Sequence, residues 1–355
     1  MDDLIDKISI IVPVHNAENK LKKLFRSFEK TLNIGEEEII VIDDISNEQT
    51  RKIITNFINK HKNVKLVKNE ENLGYLKSCN KAIEYVTNDI FVLLNSDCEI
   101  PKNFTKKILK CFNSDNDIVV ASPISSNSCN YYIPQILPLN FMNKHLEKRM
   151  PEYPEVFHCE GFCLCVRKSY TDKNGLFDPI YGMGYCEEVD FCFRVKESSK
   201  RCVLIDDLYV KHSHHASFKN KRNELLTTNN KILYKRWEKY LDYNPYPDKI
   251  TEIIKQCFSK VSKFIFVYRK IKIQLQNNRL LTLKNLHNVK KYKFYKKEKV
   301  VYTAFSGKYD ILPISPLFIN NNWDYVLFTD NALHVFVSVE IGDVGHKILL
   351  NAVLA

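Results

Sequence analysis

No apolar stretch of this 355-residue chain approaches the length, about 20 residues, that a bilayer-spanning helix needs, so no such helix is expected. The first residues, Met1-Asp2-Asp3-Leu4-Ile5-Asp6-Lys7, lack the basic start of a secretory signal, and the expected location is cytoplasmic. Eleven cysteines without an export signal should be reduced and mostly buried, with no disulfides. Cys159, Cys163, Cys165, Cys186, Cys192 and Cys202 show no CxxC spacing, and zinc is not expected. His15 to Lys23 contains no glycine, which argues against a glycine-rich phosphate loop after the first strand and hence against a nucleotidyltransferase. Internal repeats are absent, and Tyr292, Phe294 and Tyr295 fall in no RNA-binding motif, so nucleic acid is not an expected partner.

What is present is a 45% hydrophobic composition, ordinary for a chain that buries a real core, at a length suited to about two domains. The net charge of +11 is concentrated: residues 249–299 hold thirteen lysines and two arginines against two glutamates, and the remainder is slightly acidic.

From residue 8 to about 122, apolar runs alternate with helical periods, the pattern of βαβ units around a parallel sheet. Strands are expected at Ile8 to Val14, Glu38 to Ile42, Val64 to Val67 and Ile90 to Leu94. Helices between them bury Leu21, Leu24, Phe25 and Phe28, then Ile53, Ile54, Phe57 and Ile58, then Leu76, Cys79 and Ala82. Right-handed crossovers gather the strands' carboxyl ends along one edge, where open α/β sheets bind ligands. After Pro123 the chain is expected to run irregularly to about Pro154, with later strands at Phe162 to Val166 and Val203 to Ile205 and helices at Glu187 to Lys196 and about Asn220 to Tyr240.

The carboxyl ends carry Pro13-Val14-His15-Asn16, Asp43-Asp44-Ile45-Ser46, Asn69 to Gly74, and Asn95-Ser96-Asp97. Carboxylates such as Asp43 or Asp44 can accept hydrogen bonds from a nucleobase or ribose; they could equally cap the next helix. Asn72 and Gly74 allow a tight turn whose backbone approaches a ligand, or a simple helix entry. A buried strand ending in Asp97 can hold a hard cation against phosphate.

With Glu160-Gly161-Phe162, Glu187-Glu188-Val189-Asp190-Phe191-Cys192-Phe193-Arg194 and His212, this ordered set resembles glycosyltransferase family 2, including rhamnosyltransferase-like members, over residues 8 to 240. The resemblance implies an α/β fold of the GT-A type, a mostly parallel sheet flanked by helices. It also implies inverting transfer from a nucleotide-diphospho-sugar to a hydroxyl of a glycan or lipid-linked acceptor in surface polysaccharide synthesis. Pro13, His15, Asp43, Asp44, Asn72, Gly74 and Asn95 would bind the donor, Asp97 and His212 would hold Mg²⁺ or Mn²⁺, and Glu188 would be the base. Asn95 stands where the family's DxD-like motif has its first Asp, which leaves Asp97 as the sole carboxylate ligand. Other readings stay open: Glu187, Glu188 and Asp190 also suit a helix N-terminus, Asp190 can pair with Arg194, and His212, His214 and His215 are not distinguished. A nucleotide-sugar-binding protein without catalysis is the alternative function.

The expected domains are 1–245, a basic helical linker at 246–299, and a partial second glycosyltransferase-like domain at 300–355. Ile253, Ile254, Cys257, Val261, Phe264, Ile265 and Tyr268 follow a helical period among lysines. Such a helix could lie peripherally on an anionic inner membrane face, each cation adding about 1 kcal/mol, or pack on its own domain.

Overall fold

The computed structural model describes residues 5–128, 131–213, 222–241, 245–246 and 248–259, residues 262, 265–266 and 269, and the strand residues 300–305, 324–329, 333–340 and 347–354. It divides into two compact units, Met1–Ile265 and Phe266–Ala355.

The first unit begins with β1 (Ile8–Val14), α1 (Glu18–Thr31), β2 (Glu38–Asp43), α2 (Glu48–Lys60), β3 (Lys65–Lys68), α3 (Gly74–Ala82) and β4 (Ile90–Leu94). β1 pairs in parallel with both β2 and β4, and β2 with β3, as the alternating pattern requires. Ile8, Ile10, Val12, Ile39, Val41, Val92 and Leu94 share one core cluster with Leu21, Leu24 and Phe28 of α1. Phe25 of α1 stacks on Phe57 of α2 at 3.9 Å between centroids. Alternate strand residues Ile11, Ile40 and Leu93 are also fully buried, so both faces of the sheet are covered.

Beyond β4 the sheet becomes mixed. The elements are β5 (Cys98–Glu99), α4 (Phe104–Ser114), β6 (Ile118–Ser125), α5 (Leu139–Leu146), β7 (Cys163–Arg167), α6 (Lys168–Asn174), α7 (Glu187–Glu197), β8 (Arg201–His212), α8 (Arg222–Leu241) and α9 (Lys249–Cys257). The order across the eight strands is β3-β2-β1-β4-β7-β6-β8-β5. β7 runs antiparallel to β4 and β6, while β6 and β8 are parallel.

β6 and the stretch after it depart from the sequence expectation, and β8, expected over Val203 to Ile205, runs from Arg201 to His212. β6 continues through Pro123, where its register against β8 jumps from Pro123↔Ile205 to Ile124↔Tyr209; the missing proline N–H falls at an irregularity and costs the ladder little. The stretch after Pro123, expected to be irregular, contains α5 and docks through Arg149, which pairs with the fully buried Asp206 carboxylate.

α9 buries Ile250, Ile253, Ile254 and Cys257, and packs against α5, so its apolar stripe faces its own domain. Residues 270–299 of the basic segment lie outside the described residues. The second unit holds β9 (Val300–Phe305), β10 (Asp324–Thr329), β11 (Leu333–Glu340) and β12 (Lys347–Leu354), ordered β12-β11-β10-β9, with β9 and β10 parallel. Among the described residues no helix is long and apolar enough to cross a membrane.

Candidate functional site

The ends of β1 and β2 are knitted into one rim. Asp44 N–H donates to Val14 O at 2.9 Å, and His15 Nδ1–H donates to Asp44 O at 2.6 Å. Asn16, in the left-handed region at φ 50°, accepts from Asn47 N–H through Oδ1 at 2.7 Å. Pro13 is half-buried within β1, opposite Ile42.

The two aspartates have different partners. Asp43 Oδ1 accepts from Ser46 N–H at 2.9 Å, and its Oδ2 lies 3.5 Å from Arg51 Nε. Asp44 takes Asn69 Nδ2 and Leu73 N–H on Oδ1, each at 2.8 Å, and Gly74 N–H on Oδ2 at 2.9 Å. Asp44 therefore fixes the loop that leads into α3, and the cap of α2 is Asn47, which accepts from Thr50 N–H. Asn72 Oδ1 also accepts from Gly74 N–H, at 3.1 Å, and Gly74 sits at φ +74°. A Cβ at Gly74 would come within 3.0 Å of Met183, so glycine there lets the loop approach the Gly182–Gly184 turn.

Asn95, Ser96 and Asp97 form the half-buried turn between β4 and β5. Asn95 N–H donates to Phe162 O at 2.9 Å, Cys98 N–H donates to Asn95 O at 3.1 Å, and Asp97 O accepts from Ser213 N–H at 3.0 Å. Pairing of Cys98 with His212 brings the end of β8 alongside, and His212 Nε2 lies 3.3 Å from Asp97 Oδ1. His212 Nδ1–H donates to Asn127 O at 2.9 Å, which orients the ring with Nε2 toward Asp97. Burial alone would lower the His212 pKa, but the hydrogen bond and charge of Asp97 outweigh it and raise the pKa. Lys20 Nζ, from the first turns of α1, lies 3.6 Å from Asp97 Oδ2.

One carboxylate oxygen and one imidazole nitrogen side by side fit Mg²⁺ or Mn²⁺, hard ions that keep most of their shell for phosphate oxygens and water. Among the described residues no group of three or more His, Cys, Asp or Glu is arranged to hold a metal, so such an ion would depend on its ligand to complete its shell. His214 and His215 lie outside the described residues.

Glu188 opens α7 behind a strained turn: Gly182, Gly184, Tyr185 and Cys186 all have positive φ. Buried Asn229 of α8 clamps that turn by donating from Nδ2 to the carbonyls of Tyr181, Gly184 and Tyr185 at 2.8–3.0 Å. The Glu188 side chain lies over Gly161, whose Cβ, if present, would be 3.7 Å from Cγ. Next to it the Phe162 ring stacks on His212 at 4.9 Å between centroids. Glu188 and the Asp97–His212 pair thus lie against one three-residue segment, Glu160-Gly161-Phe162.

Burial, then the charge of Glu187, raises the Glu188 pKa well above the usual carboxylate range. Glu187 is 4% exposed with Oε2 unpartnered, and burial pushes its pKa up to about 7. Asp190 is instead structural, held by Tyr181 Oη, Trp237 Nε1 and Arg194 Nε. Asn80 is structural too, exchanging two hydrogen bonds with the Phe177 backbone. The ten described cysteines are buried and free. Sequence reasoning missed Lys20 and Asn229; neither has a sequence signal, since one sits in a lysine-rich helix and the other in a polar stretch.

Residues 9–175 match the model for glycosyl transferase family 2, so that part of the chain is a domain of that family. It is 25% identical to a dolichol-phosphate mannosyltransferase of Pyrococcus furiosus over 33% of this chain and 33% of that protein. It is 36% identical to an uncharacterized glycosyltransferase of Haemophilus influenzae over 32% of this chain and 44% of that one. The chain thus spans less than half the length of either relative. Among solved structures, Staphylococcus aureus TarS 1–349 in complex with UDP-GlcNAc aligns with 73% of each chain at 18% identity and a TM-score of 0.49.

Proposed function

We propose that the protein is an inverting, metal-dependent glycosyltransferase that moves a sugar from a nucleotide-diphospho-sugar to a hydroxyl of a glycan or lipid-linked acceptor in surface polysaccharide synthesis. The observation that carries this reading is that one short segment touches both groups: Glu188 lies against Gly161, and His212, paired with Asp97, stacks on Phe162. A base and a diphosphate anchor held against one short segment suit an in-line displacement.

In that reaction Glu188 accepts the proton of the acceptor hydroxyl as its oxygen bonds to the sugar's anomeric carbon. The carbon–oxygen bond to the diphosphate breaks, and its electron pair leaves with the diphosphate. Asp97 and His212 would hold Mg²⁺ or Mn²⁺, which supplies positive charge against the departing diphosphate when bound. Asp43 and His15 stand at the rim where the nucleoside would lie, while Asp44 keeps the Asn69–Gly74 loop in place. A lipid-linked acceptor is in keeping with the dolichol-phosphate relative. Contact with an anionic membrane through 249–299 would come from lysine charge, because the apolar stripe of 249–257 is already buried.

The test is transfer and binding in parallel. Glu188→Gln should lower kcat by about 10²- to 10⁴-fold while leaving donor affinity unchanged. A wild-type protein that binds donor but neither hydrolyses nor transfers it, in the presence of polyprenyl-phosphate and glycan acceptors, would be a binding protein instead.

A further inference from the structure

The donor site just described leaves one charged side chain without a role. Lys20 projects from α1 toward the β4–β5 turn, with Nζ 3.6 Å from Asp97 Oδ2 and 3.4 Å from Ser213 O. Three elements distant in sequence, α1, the β4–β5 turn and the end of β8, thus bring an ammonium, a carboxylate and an imidazole to one point on the sheet rim.

We propose that Lys20 is a ligand of the donor's diphosphate, a cation built into the chain that lets a nucleoside diphosphate bind at Asp97 without a divalent metal. The inference rests on the donor-site reading above and adds to it a residue and a relation between that residue and the metal.

The first argument is the poverty of the metal site. Asn95 supplies no charge, and two side-chain donors hold a hard cation weakly in the absence of phosphate. A diphosphate arriving beside Asp97 alone would meet like charge. Lys20 offsets it, with its Nζ 3.6 Å from Asp97 Oδ2.

Mobility is the second. The Lys20 side chain is 26% exposed, and its contact with Asp97 is a single one at 3.6 Å, the kind of partly solvated pair that is given up at little cost. A diphosphate offers the ammonium more negative charge and more acceptor oxygens than one shared carboxylate. Lysine suits the task because its charge is compact and its four-carbon stem can swing from Asp97 to a phosphate oxygen a few ångströms away. A divalent ion drawn to Asp97 would displace the ammonium onto that phosphate, so lysine and metal act together when both are present and the lysine acts alone when the metal is absent.

Calorimetric titration of the full chain with a panel of nucleoside diphosphates, in EDTA and in Mn²⁺, tests this. Wild type should bind its preferred nucleoside diphosphate in EDTA, with Mn²⁺ tightening binding by no more than about tenfold. Lys20→Met should weaken binding in EDTA by about tenfold or more yet keep most of the Mn²⁺-supported affinity, so that its metal dependence steepens. Lys20→Arg should restore metal-free binding. Unchanged melting temperatures of the unliganded variants would confirm that the fold is intact. The inference is overturned if Lys20→Met binds in EDTA as wild type does, or if wild type binds only with Mn²⁺. Should wild type bind no nucleoside diphosphate under either condition, the donor-site reading itself falls and takes this inference with it.

Discussion

At the scale of single residues, the proposed role of Glu188 makes the pair that opens α7 the control on how the reaction would respond to pH. Glu188 must be ionised to accept a proton, and burial together with the neighbouring Glu187 charge holds its pKa up. Activity should therefore rise with pH through the range in which the pair loses its protons. Glu187→Gln removes the like charge but not the burial, so the acid limb of kcat/KM should move to lower pH without disappearing. Stability gives an independent reading. A carboxyl whose native pKa is about 7, against an ordinary value of 4.5, binds more protons folded than unfolded between those values, and the native state loses stability as pH rises through them. Thermal melts should accordingly favour Glu187→Gln over wild type increasingly from pH 5 to pH 8. An acid limb that stays in place and a melting difference independent of pH would show that Glu187 is ionised elsewhere on the scale.

At the scale of elements, the carboxylate proposed as the base is aimed by a turn that local sequence does not favour. Gly182 and Gly184 tolerate positive φ, but Tyr185 and Cys186 adopt it at φ 74° and 72°, at a cost of about 1–3 kcal/mol each. Asn229, reaching across from α8 to three carbonyls, offsets part of that cost. Asn229→Ala would leave those carbonyls short of a donor, and should cost about 1–3 kcal/mol in denaturant unfolding. It should also lower kcat more than it weakens donor affinity, because the turn positions the base rather than the nucleoside rim. The turn's glycines were legible in the sequence, but the clamp was not: Asn229 lies over forty residues away and has no neighbouring motif. The same contrast runs through the sheet. β1, β2 and β4 are mostly apolar runs and announce themselves, whereas β6 is interrupted by Pro123 and β8 by Asp206-Asp207, so their pairing emerges only when the bulge that accommodates both is seen. Asp97 stood out at a strand end, and Glu188 and His212 through the family resemblance; Lys20 and the burial of Glu187 depend on distances that only the folded chain sets.

For the whole molecule, the issue is where the first compact unit stops. Asn244-Pro245-Tyr246-Pro247 reads as a closing sequence, yet the compact unit extends to Ile265. The physical reason is α9: Ile250, Ile253, Ile254, Cys257 and Phe258 are each no more than 2% exposed, and α9 packs on α5, which in turn packs on β8. Fully burying one such aliphatic or aromatic side chain contributes about 1.5–3 kcal/mol, so losing the set would remove much of a typical domain's margin of about 5–15 kcal/mol. The strain would fall on β8, whose far end carries His212 to Asp97. A chain ending at Ile265 should therefore melt cooperatively at nearly the temperature of the first unit in the full protein and retain its affinity for nucleoside diphosphate. One ending at Pro245 should melt at least several degrees lower and bind the same ligand more weakly. Equal melting temperatures for the two truncated chains would show that α9 is an appendage, and the unit would then end at the proline pair as the sequence alone suggests.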